Sequence, residues 1–243
     1  MTNPKNVCRL PLRRLVAAQT LPGRWWLNLD VHWRRWLRYH VPDASSTAKR
    51  LLDIVGGALL FVLSLPLLLL AAVLIKLEDG GPVIFCQVRV GQFGREFRMY
   101  KFRSMVQDAE ARLENLLGKN RHREGITFKI KDDPRLTRVG KWLRKFSFDE
   151  LPQFFNVLKG DMSLVGPRPP LPREVAQYSL ADRRRLAAKP GITCLWQISG
   201  RSEIDFSGQV KLDVQYLETR SLAVDIKIIA KTVPAVLAGK GAC

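Results

Sequence analysis

Apolar and polar positions divide the chain into stretches of different period. From Ile54 to Ile75 the run IVGGALLFVLSLPLLLLAAVLI carries no charged side chain and no polar stripe. At about 1.5 Å per residue it would reach about 33 Å, close to the width of a hydrocarbon core. A core helix of this length would keep one polar face, so the run predicts a membrane-inserted helix. It lies too far from the start, and lacks the small-residue cleavage site, to be a secretory signal. Pro66, with Ser64 two residues before it, falls just past the middle and should kink or break the helix there.

Beyond the turn Glu78-Asp79-Gly80-Gly81-Pro82 the pattern changes to two β-rich runs flanking Gly91-Gln92-Phe93-Gly94, which predicts a hairpin ending in Lys101-Phe102-Arg103. Ser104, with Gln107 three residues on, predicts the cap of a helix with apolar Val106, Ala109, Leu113, Leu116 and Leu117, closed by Gly118. Residues 119–130 are basic and weakly patterned, and His122 there reads as a solvated side chain rather than a ligand. Asp132-Asp133-Pro134 opens a turn into the Arg/Lys-rich helix RLTRVGKWLRKF. LPREVAQYSLADRRRLAAK predicts a helix with a basic face, ended by Pro190-Gly191. VKLDVQYLE places Asp213 and Tyr216 on neighbouring helical turns, lining a site or facing solvent. The tail from Ser221 predicts an amphipathic helix broken near Pro234.

Charge narrows the partners. Lys and Arg number 40 against 22 Asp and Glu, a net +18 with a pI near 10.3, which calls for a polyanion: nucleic acid, an anionic membrane surface or phosphorylated substrates. Cys8, Cys86, Cys194 and Cys243 are scattered, so neither a zinc site nor a disulfide framework is indicated. Residues 1–50 hold ten Lys/Arg against two acids and interleave Trp25, Trp26, Trp33 and Trp36 with Arg34, Arg35 and Arg38. That segment reads as a membrane-interface helix, a nucleic-acid arm or a helix packed on the main domain. Basic flanks on both sides of the apolar run favour a re-entrant hairpin that keeps both on the cytoplasmic face; a spanning helix with a proline kink is the alternative.

Chemistry concentrates in Ser147–Pro170, SFDELPQFFNVLKGDMSLVGPRPP. Pro152 is tolerated only in the first turn of a helix, so Asp149 and Glu150 lie at or just ahead of a helix start. Ser147 and Glu150 would also satisfy a capping-box spacing, the structural alternative. Two adjacent carboxylates need nearby cations to stay ionised together, and Arg144, Lys145 and the proline-flanked Arg168 are candidates.

These motifs carry a resemblance. The apolar run with its central proline, YKFRSM, the D-P-R-x-T-R-x-G-x-x-L-R pattern, S-x-D-E-L-P-Q-x-x-N-V-L-x-G-D-M-S-L-V-G-P-R-P and P-G-I-T-x-x-W-Q-I-S-G-R closely resemble the monotopic phosphoglycosyl transferases, bacterial sugar transferases that begin exopolysaccharide and glycoconjugate assembly. The likeness runs from about Lys49 to the end. It implies an α+β, mostly helical fold: a Trp/Arg-rich extension (1–48), a re-entrant membrane helix (49–77), and a cytoplasmic catalytic domain with a small β-hairpin and interfacial helices (78–243). It implies transfer of a sugar-1-phosphate from a UDP-sugar to undecaprenyl phosphate with release of UMP, on the cytoplasmic face of the bacterial inner membrane, among its phospholipids. Asp149 would be the nucleophile, forming a covalent phosphosugar intermediate with Mg²⁺ at the site, and Glu150 would act beside it. Arg144 and Arg168 match phosphate-binding arginines; Lys101 and Asp161 fall on motif positions; Gln197, Arg201 and Asp213 are further substrate-binding candidates. Trp196 is either beside the nucleotide or core. One departure is Leu65-Pro66, with Ser64 a residue early, where the family typically has Ser-Pro. The resemblance is compatible with a homodimer. A membrane-tethered nucleic-acid-binding module is the alternative function; on the transferase reading no nucleic acid is a partner.

Overall fold

A single long helix leads into a mixed arrangement of short elements. The computed structural model describes residues 44–114, 133–200 and 204–237. The N-terminal extension to residue 43, His122, Gly118 and Arg201 lie outside the described residues. Chain contacts divide the protein into Met1–Ala48 and Lys49–Cys243, and the description below concerns the second unit.

Helix α1 (Ala44–Asp79) contains the apolar run and is the one helix among the described residues long and apolar enough to cross a membrane. It continues through Pro66, and the Ser64 hydroxyl donates to Phe61 O at 2.8 Å, a bond within the turn that the proline disturbs. Leu59, Val62, Leu63, Leu65 and Leu69 stand exposed along its middle. Strands β1 (Ile84–Val90) and β2 (Glu96–Phe102) pair antiparallel from Ile84↔Phe102 to Val90↔Glu96, as the alternating runs predict. Their turn, Gln92–Gly94, holds Phe93 at φ 58.

The helix predicted from Ser104 starts later and without that cap. Helix α2 begins at Ala109 (Ala109–Glu114), because Ser104 serves other groups: its carbonyl accepts from Thr137 N and its hydroxyl from Arg144 Nε. Helix α3 (Arg138–Lys145) is capped by Thr137, whose Oγ1 accepts from Gly140 N at 2.9 Å. Asp149 and Glu150 sit in a short 3₁₀ turn, Phe148–Glu150, and helix α4 (Gln153–Lys159) follows with Pro152 at its N-cap. Ser147 stands at φ 56 with no side-chain cap bond, so the capping-box alternative is not realised.

Strand β3 (Ser163–Val165) runs parallel to β4 (Gly191–Thr193). The helix predicted over 171–189 is instead split into α5 (Pro172–Val175) and a 3₁₀ turn, Asp182–Ala187. Ser179 and Asp182 explain the split, since each side chain accepts the other's backbone N–H and so ends one element while starting the next. Helices α6 (Leu195–Ser199), α7 (Phe206–Thr219) and α8 (Leu222–Leu237) complete the unit, and α8 passes through Pro234 without breaking. One core cluster joins Met99, Val157, Met162, Leu164, Val165, Tyr216 and Ile228; a second joins Ala71 and Ile75 of α1 to Phe102 and Leu143.

Candidate active site

The carboxylate pair is delivered by the segment between α3 and α4. Ser147 in a left-handed conformation turns the chain sharply out of α3, a conformation that costs a non-glycine residue about 1 kcal/mol or more and persists only where surrounding structure enforces it. The 3₁₀ turn then places Asp149 and Glu150 on the wall of a cavity of about 1400 Å³. Lys101, at the end of β2, comes alongside, and its Nζ lies 2.8 Å from Glu150 Oε1. Arg144, in the last turn of α3, donates from Nε to Ser104 Oγ at 3.0 Å, so its guanidinium is fixed at one edge.

Arg168 arrives from the other side. Strand β3 ends at Val165, and Gly166 passes so close to the chain entering β4 that a Cβ there would lie 2.3 Å from Lys189 O and 3.0 Å from Gly191 N. The prolines on either side of Arg168 limit the backbone it must order. Its guanidinium stands 5.9 Å from the Trp196 ring centre, within cation–π range. Lys101, Arg144, Asp149, Glu150, Arg168 and Gln197 therefore share one cavity.

Burial and charge separate the two acids. Asp149, 8 % exposed, has no ion pair among the described residues. Burial pushes its carboxyl up to about 6; Lys101 pulls it down, Glu150 pushes it up and Arg144 pulls it down. For Glu150, burial acts upwards but is outweighed by Lys101 and Arg168, and its carboxyl falls below the usual range. Burial likewise lowers Arg144.

Asp161 and Asp213 do not line the cavity. Asp161 pairs with Lys159 at 2.9 Å beyond the end of α4. Asp213, 1 % exposed on α7, lies 2.5 Å from Arg185 Nη2. The separation makes an ion pair, although neither carboxylate oxygen of Asp213 is aligned for a hydrogen bond. Burial pushes Asp213 up to about 6 against the pull of Arg185, while Arg185, opposed by burial, rises because Asp213 lies against it. At neutral pH both are charged. Tyr216, the other α7 candidate, belongs to the core, donating to Asp225 Oδ1 and Val165 O. Trp196 is both core and wall: it is buried yet touches the cavity.

The sequence missed Arg89. It is buried on β1, donates to Pro169 O at 3.0 Å and holds Gln87 Oε1 from Nε and Nη2. Burial first, then Arg168, bring it down to about 10. An arginine in an alternating strand reads as a solvated position; only the arrival of the Pro169 backbone, 80 residues on, makes it part of the site.

No group of three His, Cys, Asp or Glu residues suited to a metal occurs among the described residues. Where Lys101, Arg144 and Arg168 gather, the carboxylates are Asp149, with no ion pair among the described residues, and Glu150 beside it. One or two carboxylates completed by water and substrate phosphate is a magnesium-like set, so the residues present fit that ion.

The chain resembles known proteins over the same stretch. A profile described as bacterial sugar transferase matches residues 44–239. The galactosyl transferase CpsE of Streptococcus agalactiae is 55 % identical over 197 residues, 80 % of this chain and 43 % of the relative. The undecaprenyl-phosphate galactose phosphotransferase of Salmonella typhimurium is 44 % identical over 202 residues, 82 % of this chain and 42 % of the relative. The exopolysaccharide production protein ExoY of Rhizobium meliloti is 40 % identical over 204 residues, 83 % of this chain and 90 % of the relative. The chain thus spans less than half of the first two relatives and nearly all of the third. These relatives lend no support to a nucleic-acid module.

Proposed function

The chain belongs to the bacterial sugar transferase family, and on that premise we propose that it is a phosphoglycosyl transferase that moves a sugar-1-phosphate from a UDP-sugar to undecaprenyl phosphate, an initiating step of exopolysaccharide or glycoconjugate synthesis. The observation that carries this reading is the Asp149 carboxylate, without an ion pair among the described residues, on a cavity wall with Lys101, Arg144 and Arg168.

An Asp149 oxygen attacks the β-phosphorus; the bond from that phosphorus to the bridging oxygen breaks, and UMP leaves with the electron pair. The sugar phosphate is then held as an acyl phosphate on Asp149 until an oxygen of undecaprenyl phosphate attacks the same phosphorus and restores the carboxylate. Lys101, Arg144 and Arg168 bind and orient the phosphates, and the proline-flanked Arg168 does so with little ordering cost. Glu150 holds Lys101 in place. Magnesium, held by Asp149 with Glu150 beside it, would offset the diphosphate charge.

The membrane reading is re-entrant and monotopic, with both flanks of α1 on the cytoplasmic face of the inner membrane. Its support is that stretches of α1 on both sides of Pro66 pack on one unit, in a helix about 54 Å long if straight: Gly56 and Gly57 approach Leu164 and Val157, while Ala71 and Ile75 pack with Phe102 and Leu143. A straight crossing would carry one end to the far side.

The test is direct. The full chain in lipid, given magnesium, undecaprenyl phosphate and a panel of UDP-sugars, should release UMP with one or more of them, and a labelled sugar phosphate should be trapped on Asp149 when the acceptor is withheld. Normal turnover by Asp149→Asn would overturn the reading.

A further inference from the structure

The cytoplasmic foot of α1 carries Lys49, Arg50 and Asp53 within two turns, and each of these charges meets protein. Lys49 Nζ lies 2.6 Å from Asp225 Oδ2 and donates to Val165 O at 3.1 Å. Arg50 donates to Val157 O at 2.7 Å and Leu158 O at 2.8 Å, closing the last turn of α4. Asp53, 3 % exposed, accepts at Oδ1 from Ser163 Oγ and from Leu164 N, both at 2.9 Å. Tyr216 joins the same knot through Val165 O at 3.1 Å and Asp225 Oδ1 at 2.8 Å. One turn further along, a Cβ on Gly56 would fall 2.9 Å from Leu164 Cδ1. The foot is thus bonded to α8 through Asp225 and, through their main chains, to two further elements, α4 and β3.

Those two elements are the ones that flank the site. Helix α4 starts three residues after Glu150, and β3 ends three residues before Arg168. We propose that Lys49, Arg50 and Asp53 form a positioning clamp: the membrane helix sets the distance between the carboxylate-bearing turn and the Arg168 loop by gripping α4 at its C-terminus and β3 along its length. A basic pair at the start of a membrane helix is ordinarily a headgroup anchor; here both cations point to carbonyls or a carboxylate of the same chain. The functional part of the proposal rests on the transferase reading above, since a misplacement of about 1 Å between reacting groups costs up to about 100-fold in rate.

Arg50→Lys separates the clamp from an anchor. It keeps the charge a headgroup would meet but cannot present two parallel N–H groups to two carbonyls. In lipid nanodiscs, Arg50→Lys and Arg50→Gln should both lose about 10-fold or more in kcat with a smaller change in KM for the UDP-sugar, while the membrane-bound fraction stays unchanged. Lys49→Met and Asp225→Asn should each lower kcat, and the double variant should be no worse than the poorer single one. Amide hydrogen exchange at 163–168 should quicken in each variant, a readout independent of turnover. Full activity in Arg50→Lys, losses that multiply in the double variant, or unaltered exchange at 163–168 would each overturn the clamp. A wild-type chain that releases no UMP, yet shows the exchange response, would defeat the transferase reading and leave the grip itself intact.

Discussion

Asp149 and Asp213 are both buried, both pushed up to about 6 by burial, and both face an arginine or lysine. They differ in what lies beside the carboxylate. Asp213, 1 % exposed, is paired with Arg185 at 2.5 Å behind the cavity wall, and the rings of Tyr178 and Phe206 each lie 5.9 Å from that guanidinium. Asp149 opens on a cavity whose cations, Lys101, Arg144 and Arg168 among them, come from separate parts of the chain, and it has no ion pair among the described residues. A perturbed carboxyl is therefore no marker of chemistry by itself; access, together with cations held elsewhere, makes the distinction.

The largest expected effect separates the two acids at once. Asp149→Asn should reduce UMP release by at least about 1000-fold, as removal of a covalent nucleophile does. Asp213→Asn should instead act on stability, losing about 3 kcal/mol because Arg185 stays buried without its partner, with kcat of the folded fraction kept within a few-fold. Equal loss of kcat in the folded fraction of both variants would erase the comparison.

Acidity sharpens it further. Turnover should fall as the pH drops through about 6, where Asp149 takes up a proton. Its effect on stability has the opposite sign: the folded carboxyl titrates above its unfolded value, so its stabilising contribution is complete below the unfolded value near 3.8 and is lost as the pH rises through about 6. Asp149→Asn should accordingly melt higher than wild type at pH 8, and the gain should vanish near pH 4. Lys101→Met should cost about 10- to 100-fold at neutral pH and move the acid limb of the rate profile upwards, because Lys101 is what draws Asp149 down. The smallest effect belongs to Asp161→Asn, less than about two-fold in turnover, since its partner Lys159 lies outside the cavity wall.

What could be read from the sequence was local. The uncharged run, the two strands around Gly91 to Gly94 and the placement of Asp149 and Glu150 ahead of the Pro152 helix follow from short-range pattern and from proline's restrictions, whereas Lys101 and Arg168 are singled out by the resemblance. What could not be read depends on partners far along the chain. Ser104 carries a capping signature, yet Arg144 and Thr137 claim its oxygens. Asp161 and Asp213 carry no local sign of their fate, and only the tertiary structure pairs them with Lys159 and Arg185 and leaves both carboxylates off the cavity wall. Arg89 had no local signal at all, and the split at Ser179 and Asp182 arose because two polar side chains outcompete helix continuation there.

The grip of α1 on the body of the protein also fixes an order of events at birth. Asp53 and its partner Ser163 are 110 residues apart, so the ribosome needs on the order of ten seconds to supply the second after the first. Through that interval Asp53 lacks the partners that bury it. On the membrane reading proposed above, lipid would shelter the apolar run first, and the foot of α1 would dock only once α4 and β3 have been made.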